Sequence, residues 1–120
     1  MQGLMLLRTN ECGRLGGQYR EPLVYIDNLA SAFWNLPNVT ESPRFRGVGY
    51  ILFGAAVSLS IDKGWEGRVG LHSLPGAEDF YGDVDKCGMT DMQIDASHQD
   101  LRYFEMSAMQ AKAFIKKLKE

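Results

Sequence analysis

Two glycines and two arginines lie close together in this 120-residue sequence, a combination that suits the binding of a phosphate. They are Arg44, Arg46, Gly47 and Gly49, and an apolar run starts directly after them at Tyr50. Glycine lets the backbone approach a ligand without a Cβ in the way, and arginine can make paired hydrogen bonds to phosphate oxygens. Because a helix start adds unpaired N–H groups, the stretch predicts an anion-binding loop that opens into a helix.

The residues that follow distinguish between the known kinds of phosphate loop. A P-loop ends in Gly-Lys-Ser or Gly-Lys-Thr, whereas this chain continues from Gly49 into Tyr50 and Ile51. A dinucleotide-binding fingerprint requires a third glycine at position 52, which is Leu52 here. Two interpretations remain: a pyrophosphate loop of another kind, or an ordinary turn that leads into a helix.

Two side chains outside this stretch are candidates for proton transfer. Asp27 interrupts a predicted strand over residues 23–30, where a carboxylate is out of place unless something requires it. His72 lies near the end of another predicted strand, and its ordinary pKa suits a general base. The structural alternatives are a hydrogen bond from the neighbouring loop backbone to Asp27, and a histidine that only completes its strand. His98, in a predicted turn, is assigned no chemical role.

The length and composition of the chain indicate a single-domain globular protein. Residues 1–120 suffice for one hydrophobic core, and a net charge of −2 gives no reason to expect a nucleic-acid partner. No apolar stretch is long enough to span a bilayer, and the first residues lack the pattern of a signal peptide. Cys12 and Cys87 lack the spacing of metal ligands, so we expect reduced thiols and no metal. We therefore expect a cytoplasmic protein with no membrane partner.

Apolar periodicity and turn residues predict five strands and three helices. Strands are expected over residues 4–8, 23–30, 67–73, 89–94 and 101–106, with the last two forming a hairpin. Residues 9–20 contain three glycines and are expected to form a loop. The helix over residues 50–62 is apolar on nearly every side and should be buried. A short helix is expected over residues 74–81, and a capping box of Ser107 and Gln110 should start the last helix.

Four short motifs follow one another along the chain: Ile26-x-x-Leu29-Ala30, Arg44-x-x-Gly47-x-Gly49, Ala77-x-x-Phe80-Tyr81 and Cys87-Gly88-Met89. With these motifs, the order of the elements resembles the fold of the GNAT superfamily of N-acetyltransferases from its third strand onward. The resemblance implies an α/β (α+β) domain with a mixed, mostly antiparallel sheet flanked by helices, without the family's first strand and first two helices. Leu74 departs from the family, which usually has asparagine there, and the missing helices often shape the acceptor pocket.

The same resemblance implies acetyl-CoA as the cosubstrate and a small-molecule or peptide amine as the acceptor. The acetyl group would pass directly between them in a ternary complex. The residues that it implies for cofactor binding are Leu29, Ala30 and Ser31 for the pantetheine arm, and Arg44, Arg46, Gly47, Val48, Gly49 and Tyr50 for the pyrophosphate.

For catalysis, the resemblance implies that Tyr81 protonates the departing thiolate, whereas the structural alternative is that Tyr81 only packs in the core. Asp27 or His72 would take the proton of the amine. A shortened sheet exposes an edge strand that a second copy of the chain can cover, so a homodimer is expected. The functional alternative is a non-catalytic acyl-CoA-binding or dimeric interaction module on the same fold.

Overall fold

The computed structural model describes residues 5–29 and 43–119, with side chains described for residues 6–27 and 51–119. This part of the chain contains five strands and three α-helices, in the predicted order. Short 3-10 turns lie at Gly16–Gln18 and Ala96–His98. The strands and α-helices are β1 (Met5–Cys12), β2 (Pro22–Leu29), α1 (Pro43–Asp62), β3 (Val69–Ser73), α2 (Glu78–Gly82), β4 (Thr90–Asp95), β5 (Leu101–Met106) and α3 (Ala108–Lys119).

The five strands form one mixed sheet in the order β1-β2-β3-β5-β4. β2 and β3 are parallel, while the other neighbouring pairs are antiparallel. A parallel pair requires a long crossover connection, and α1 lies in the connection between β2 and β3. The predicted α+β class, with a mixed and mostly antiparallel sheet, is confirmed.

The two faces of this sheet differ in chemistry because successive side chains of a strand point to opposite sides. One side, called the apolar face here, packs against α1 and α3, where Phe53 and Phe114 meet edge to face with ring centroids 5.0 Å apart. The apolar face consists of the buried residues Val24, Ile26, Val69, Leu71, Phe104 and Met106. The polar face carries Tyr25, Asp27, Gly70, His72, Tyr103 and Glu105.

Helix α1 begins at Pro43 and not at Tyr50, so the predicted loop over residues 44–49 is wrong. Proline suits the first helical turn, where its missing N–H would have no helical acceptor. From Gly47 onward each N–H can donate to the carbonyl four residues back. The two glycines cost the helix about 0.5–1 kcal/mol each relative to alanine. The buried contacts of Phe53 and Val57 further along the helix offset this cost.

The expectation that α1 is buried on nearly every side is also wrong. Phe53, Ala56 and Val57 are fully buried, whereas Ile51 is 70% exposed and Ile61 is 47% exposed. The helix therefore contacts the sheet and α3 with one side and leaves apolar side chains on the other.

Strand β1 extends to Cys12, four residues beyond the predicted end at Arg8. The pairing of β1 with β2 shifts register between Arg8 and Glu11 and then continues, with Glu11 opposite Leu23 and Cys12 opposite Pro22. The expected loop over residues 9–20 is therefore confined to the segment after Cys12. Helix α2 is shorter than expected and begins at Glu78.

The predicted start of α3 is confirmed in atomic detail. The Gln110 N–H donates to Ser107 Oγ at 3.2 Å, and the Ser107 N–H donates to Gln110 Oε1 at 2.9 Å. Close packing beside this helix depends on Gly67, which has a left-handed φ of 86°. A Cβ at position 67 would lie 2.5 Å from the Ala111 Cβ.

Among the described helices, none combines the length and apolar character needed to cross a membrane.

Candidate functional site

Strands β2 and β3 separate toward their carboxyl ends. Their paired residues run from Val24 opposite Val69 to Ile26 opposite Leu71. Beyond these pairs, the described part of β2 is paired with β1 alone, and β3 with β5 alone. A gap in the sheet results, at the edge where open sheets with parallel strands bind their ligands.

A cavity of about 490 Å³ lies at this gap, within the range of about 300–1,000 Å³ that is usual for small-molecule sites. Both faces of the sheet contribute to it, with Ile26 and Leu71 from the apolar face and Asp27 and His72 from the polar face. The polar side chains that line the cavity are Tyr25, Asp27, His72, Tyr81, Ser97, His98 and Gln99.

Tyr81 of α2 lines this cavity and also packs in the core. Its ring lies close to those of Phe53 and Phe104, and the residue is 4% exposed. Burial, assisted by the neighbouring Cys87, raises the pKa of the phenol well above its ordinary value. Within the described residues its hydroxyl has no hydrogen-bond partner. A buried hydroxyl left unpaired costs about 1–3 kcal/mol, which a ligand atom in the cavity would remove.

His72 is held at both of its ring nitrogens. The Tyr25 hydroxyl lies 2.6 Å from Nδ1, and Asp95 Oδ2 lies 2.9 Å from Nε2. Because a carboxylate only accepts, Nε2 carries a proton, and the neutral ring accepts the Tyr25 proton at Nδ1. The side chain is 3% exposed, and burial lowers the pKa of His72 against the opposing effect of Asp95. The structure therefore favours a neutral imidazole whose Nδ1 accepts the hydrogen bond of the Tyr25 hydroxyl.

Tyr25 connects this histidine to the cavity. Burial, together with the negative charges of Asp27 and Glu11, raises the pKa of Tyr25 to about 12. The hydroxyl is therefore protonated at neutral pH and donates to His72.

Asp95, the last residue of β4, is the carboxylate on which these groups converge. Its Oδ2 accepts hydrogen bonds from His72 and from Arg14, at 2.9 and 2.8 Å, and lies 3.1 Å from His98 Nδ1. Its Oδ1 accepts from the backbone and hydroxyl of Ser97. Hydrogen bonds from Ser97, Arg14 and His72 hold the pKa of the Asp95 carboxyl well below its usual range. The carboxylate is therefore ionised at neutral pH.

His98, which the sequence analysis left without a role, lies directly against His72. The two imidazole rings are stacked, with centroids 4.0 Å apart and planes inclined by 11°. The side chain of His98 is 47% exposed, so this end of the cluster faces solvent.

The segment that carries Arg14 is fixed by Glu105, which is fully buried on the polar face. The Glu105 carboxylate accepts from the N–H groups of Arg14 and Leu15, from Gln18 Nε2 and from the Tyr103 hydroxyl, at distances of 2.6–3.0 Å. The Arg14 guanidinium consequently lies 4.2 Å from the centre of the Tyr103 ring and reaches Asp95.

Asp27 lines the cavity but is engaged by a cation. Arg8 Nε donates to Asp27 Oδ2 at 3.0 Å, and the Asp27 side chain is 37% exposed. The loop whose backbone was expected to donate to Asp27 lies outside the described residues. Asp27 Oδ2 is therefore already in use as a hydrogen-bond acceptor.

The residues expected to bind the cofactor are only partly covered by the structure. Leu29 ends β2, at the side of the gap, while Ala30 and Ser31 lie outside the described residues. The backbone of the remaining six, Arg44, Arg46, Gly47, Val48, Gly49 and Tyr50, lies in the first two turns of α1.

Asp95 and Tyr25 were missed as site residues. Alternation along β3 places His72 on the face opposite to Val69 and Leu71, and the same alternation along β2 sets Tyr25 apart from Val24 and Ile26. That signal would have identified Tyr25. For Asp95 no local pattern existed, because its contact with His72 spans 23 residues of sequence.

Comparison of the chain with protein-family models, with curated proteins and with solved structures gives no match. Any functional assignment therefore depends on the geometry described above.

Proposed function

We propose that this chain is an acetyl-CoA-dependent N-acetyltransferase that acts on an amine. The observation that carries the proposal is the cavity at the gap between β2 and β3, which is lined by Tyr81 and by the Tyr25–His72 pair. A donor and an acceptor of protons on the same cavity are the two groups that acyl transfer to an amine requires.

The gap also suits the pantetheine arm of the cosubstrate. Where β2 and β3 no longer pair with each other, their facing backbone groups are available to an extended chain, which would lie between them like an additional strand. Leu29 belongs to this edge of β2, and the resemblance extends the contact to Ala30 and Ser31. The single parallel pair within an otherwise antiparallel sheet further supports the resemblance to the GNAT fold.

The transfer balances as follows. The amine nitrogen attacks the thioester carbonyl carbon, the carbon–sulfur bond breaks, the amine loses a proton and the departing thiolate gains one. Tyr81 supplies the proton to the thiolate, since burial keeps its phenol protonated until the carbon–sulfur bond breaks.

The proton lost by the amine passes through the Tyr25 hydroxyl to Nδ1 of His72. Asp95 holds His72 in the required tautomer and stabilises the imidazolium that forms. We assign the base to His72 in preference to Asp27 because the Asp27 carboxylate is already paired with Arg8.

The pyrophosphate is proposed to bind at the start of α1. Since the N–H groups from Gly47 onward have acceptors within the helix, the unpaired N–H groups lie in the first turn, around Arg44 and Phe45. Arg44 and Arg46 would add charge there, in place of the loop that the sequence suggested.

We also propose a homodimer. Among the described strands, β1 lies at one edge of the sheet, and its Leu6 is 49% exposed. An edge strand with an exposed apolar side chain is a surface that a second copy can cover.

A non-catalytic acyl-CoA-binding module remains the second candidate, and one observation favours it. The raised pKa of Tyr81 makes its phenol a weaker acid than a free tyrosine, which suits a binding contact better than rapid proton donation. Turnover distinguishes the two candidates.

The test measures release of free CoA thiol from acetyl-CoA in the presence of a panel of primary amines and peptides with free N-termini. The wild type is expected to turn over with at least one acceptor. Tyr81→Phe should lower kcat by about 100-fold, the lower range for a general acid, with acetyl-CoA affinity nearly unchanged.

The matched control is Tyr19→Phe, because Tyr19 is 62% exposed and lies outside the residues that line the cavity. Binding of acetyl-CoA without turnover for any amine would favour the binding module. Equal kcat for Tyr81→Phe and the wild type would show that the assignment of the acid is wrong.

A further inference from the structure

Three potential metal ligands converge beside the cavity. His72, Asp95 and His98 each offer one ligand atom, and these three atoms all lie within 4.8 Å of one another. Two of these separations are short, 2.9 Å from His72 and 3.1 Å from His98 to the shared carboxylate oxygen. In a tetrahedral zinc site with bonds of about 2.0 Å, neighbouring ligand atoms are about 3.3 Å apart. An ion would therefore require a slight outward shift of these atoms, together with a rotation of the exposed His98 ring out of its stack on His72, so that both nitrogen lone pairs point at the ion.

We propose that His72, Asp95 and His98 form a binding site for a divalent transition metal of the zinc class. Two imidazole nitrogens and one carboxylate oxygen are a donor set that such ions prefer over magnesium or calcium. Three protein ligands leave a fourth position open, which is the arrangement of metal sites that bind water or a substrate. His98 and Ser97 also line the cavity, so the open position is beside it.

The groups around these ligands are arranged as in known metal sites. The second nitrogen of a metal-bound histidine usually has its own hydrogen-bond partner, and here Tyr25 supplies one at Nδ1 of His72. Asp95 is likewise oriented by hydrogen bonds, because the backbone N–H and the hydroxyl of Ser97 both donate to its other oxygen, Oδ1.

Binding of the ion would reverse one hydrogen bond. With Nε2 of His72 on the metal, the proton of the neutral ring must reside on Nδ1, which then donates to the Tyr25 oxygen. His72 could no longer accept a proton through Tyr25. On the assumption that the proposed acetyl transfer is correct, metal occupancy would inhibit it, whereas the binding itself does not depend on that assumption.

Arg14 opposes the metal and thereby provides a specific test. Its guanidinium lies 2.8 Å from the same Asp95 oxygen, and two positive groups cannot share that oxygen at low cost. The Arg14 side chain is 42% exposed and also contacts the Tyr103 ring, so it can move aside. Removing the guanidinium should therefore tighten metal binding, an effect that adventitious binding elsewhere would not show.

The experiment titrates the full chain, freed of any histidine tag, with zinc by calorimetry and with cobalt by visible absorption. His72 and His98 are the two histidines of the sequence, which simplifies the assignment. The titrations are also made with the Cys12→Ser variant, because the exposed thiol of Cys12 lines an adjoining pocket together with His98 and could itself bind zinc. We expect one zinc per chain, and a cobalt spectrum of the intensity typical of four-coordinate sites.

His98→Ala should weaken zinc binding by at least about tenfold, and Arg14→Gln should strengthen it. Asp91→Asn is the matched control, since Asp91 is an exposed carboxylate paired with Arg102 and should leave affinity unchanged. Circular dichroism establishes that each variant is folded. Because His98 is exposed in a short turn, its replacement should not disturb the fold.

Absence of zinc and cobalt binding by the folded protein would overturn the proposal. So would binding that disappears in Cys12→Ser, or binding that His98→Ala and Asp95→Asn both leave intact.

Discussion

On the apolar face of the sheet, buried side chains pack against α1 and α3, where Phe53 meets Phe114 edge to face. On the polar face, hydrogen bonds connect Glu105 and Asp95 to groups from distant parts of the chain. The stability of the apolar face depends on how closely its side chains fill the available space. The stability of the polar face depends on each buried donor having a hydrogen-bond acceptor. The candidate site lies where the two faces meet, because residues of both faces line the cavity at the gap between β2 and β3.

The largest effect is expected from the apolar face. Phe53→Ala removes a fully buried ring and should lower the free energy of unfolding by about 3–5 kcal/mol, through lost burial and a cavity. Urea denaturation followed by circular dichroism measures this change. Ile51→Ala on the same helix is the control, with an expected change within about 0.5 kcal/mol because Ile51 is 70% exposed. Similar losses for both variants would contradict the assigned packing of α1.

A smaller but still large loss is expected from the polar face. Glu105→Gln keeps the shape of the side chain, but one of its two terminal atoms can no longer accept hydrogen bonds. At least two of the four donors around it lose their partner, so stability should fall by about 2–4 kcal/mol.

The control for this variant is Arg8→Gln, which breaks the exposed ion pair with Asp27 and should cost less than about 1 kcal/mol. Both free energies come from the same urea titrations. If Glu105→Gln were no more destabilising than Arg8→Gln, the polar face would not depend on complete hydrogen bonding.

The sequence predicted the apolar face well because its signals are local. The alternation of Val69 and Leu71 with polar neighbours predicted β3, and the Ser107–Gln110 capping box predicted the start of α3. Residues 44–49 were misjudged because two glycines suggested a loop, whereas the backbone continues α1 back to Pro43. Helix propensity is a small term that packing further along the helix can override.

The polar face was harder to predict for a different physical reason. Glu105 meets Arg14 across 91 residues, and Asp95 meets Arg14 across 81, so no window of sequence contains both partners. His72 was recognised as a candidate by residue type alone. Its partners Tyr25, Asp95 and His98 become visible only once the strand order brings them together.

The most direct test of the central claim is a calorimetric titration with acetyl-CoA and with free CoA. The wild type should bind both, and Leu74→Trp should lose this binding because the new side chain would fill the cavity that Leu74 lines. Ile94→Trp is the matched control, since Ile94 is 57% exposed and lies away from the cavity lining. Binding by the wild type and Ile94→Trp but not by Leu74→Trp would support the gap between β2 and β3 as the cosubstrate site. No binding by the wild type, or equal binding by Leu74→Trp, would contradict it.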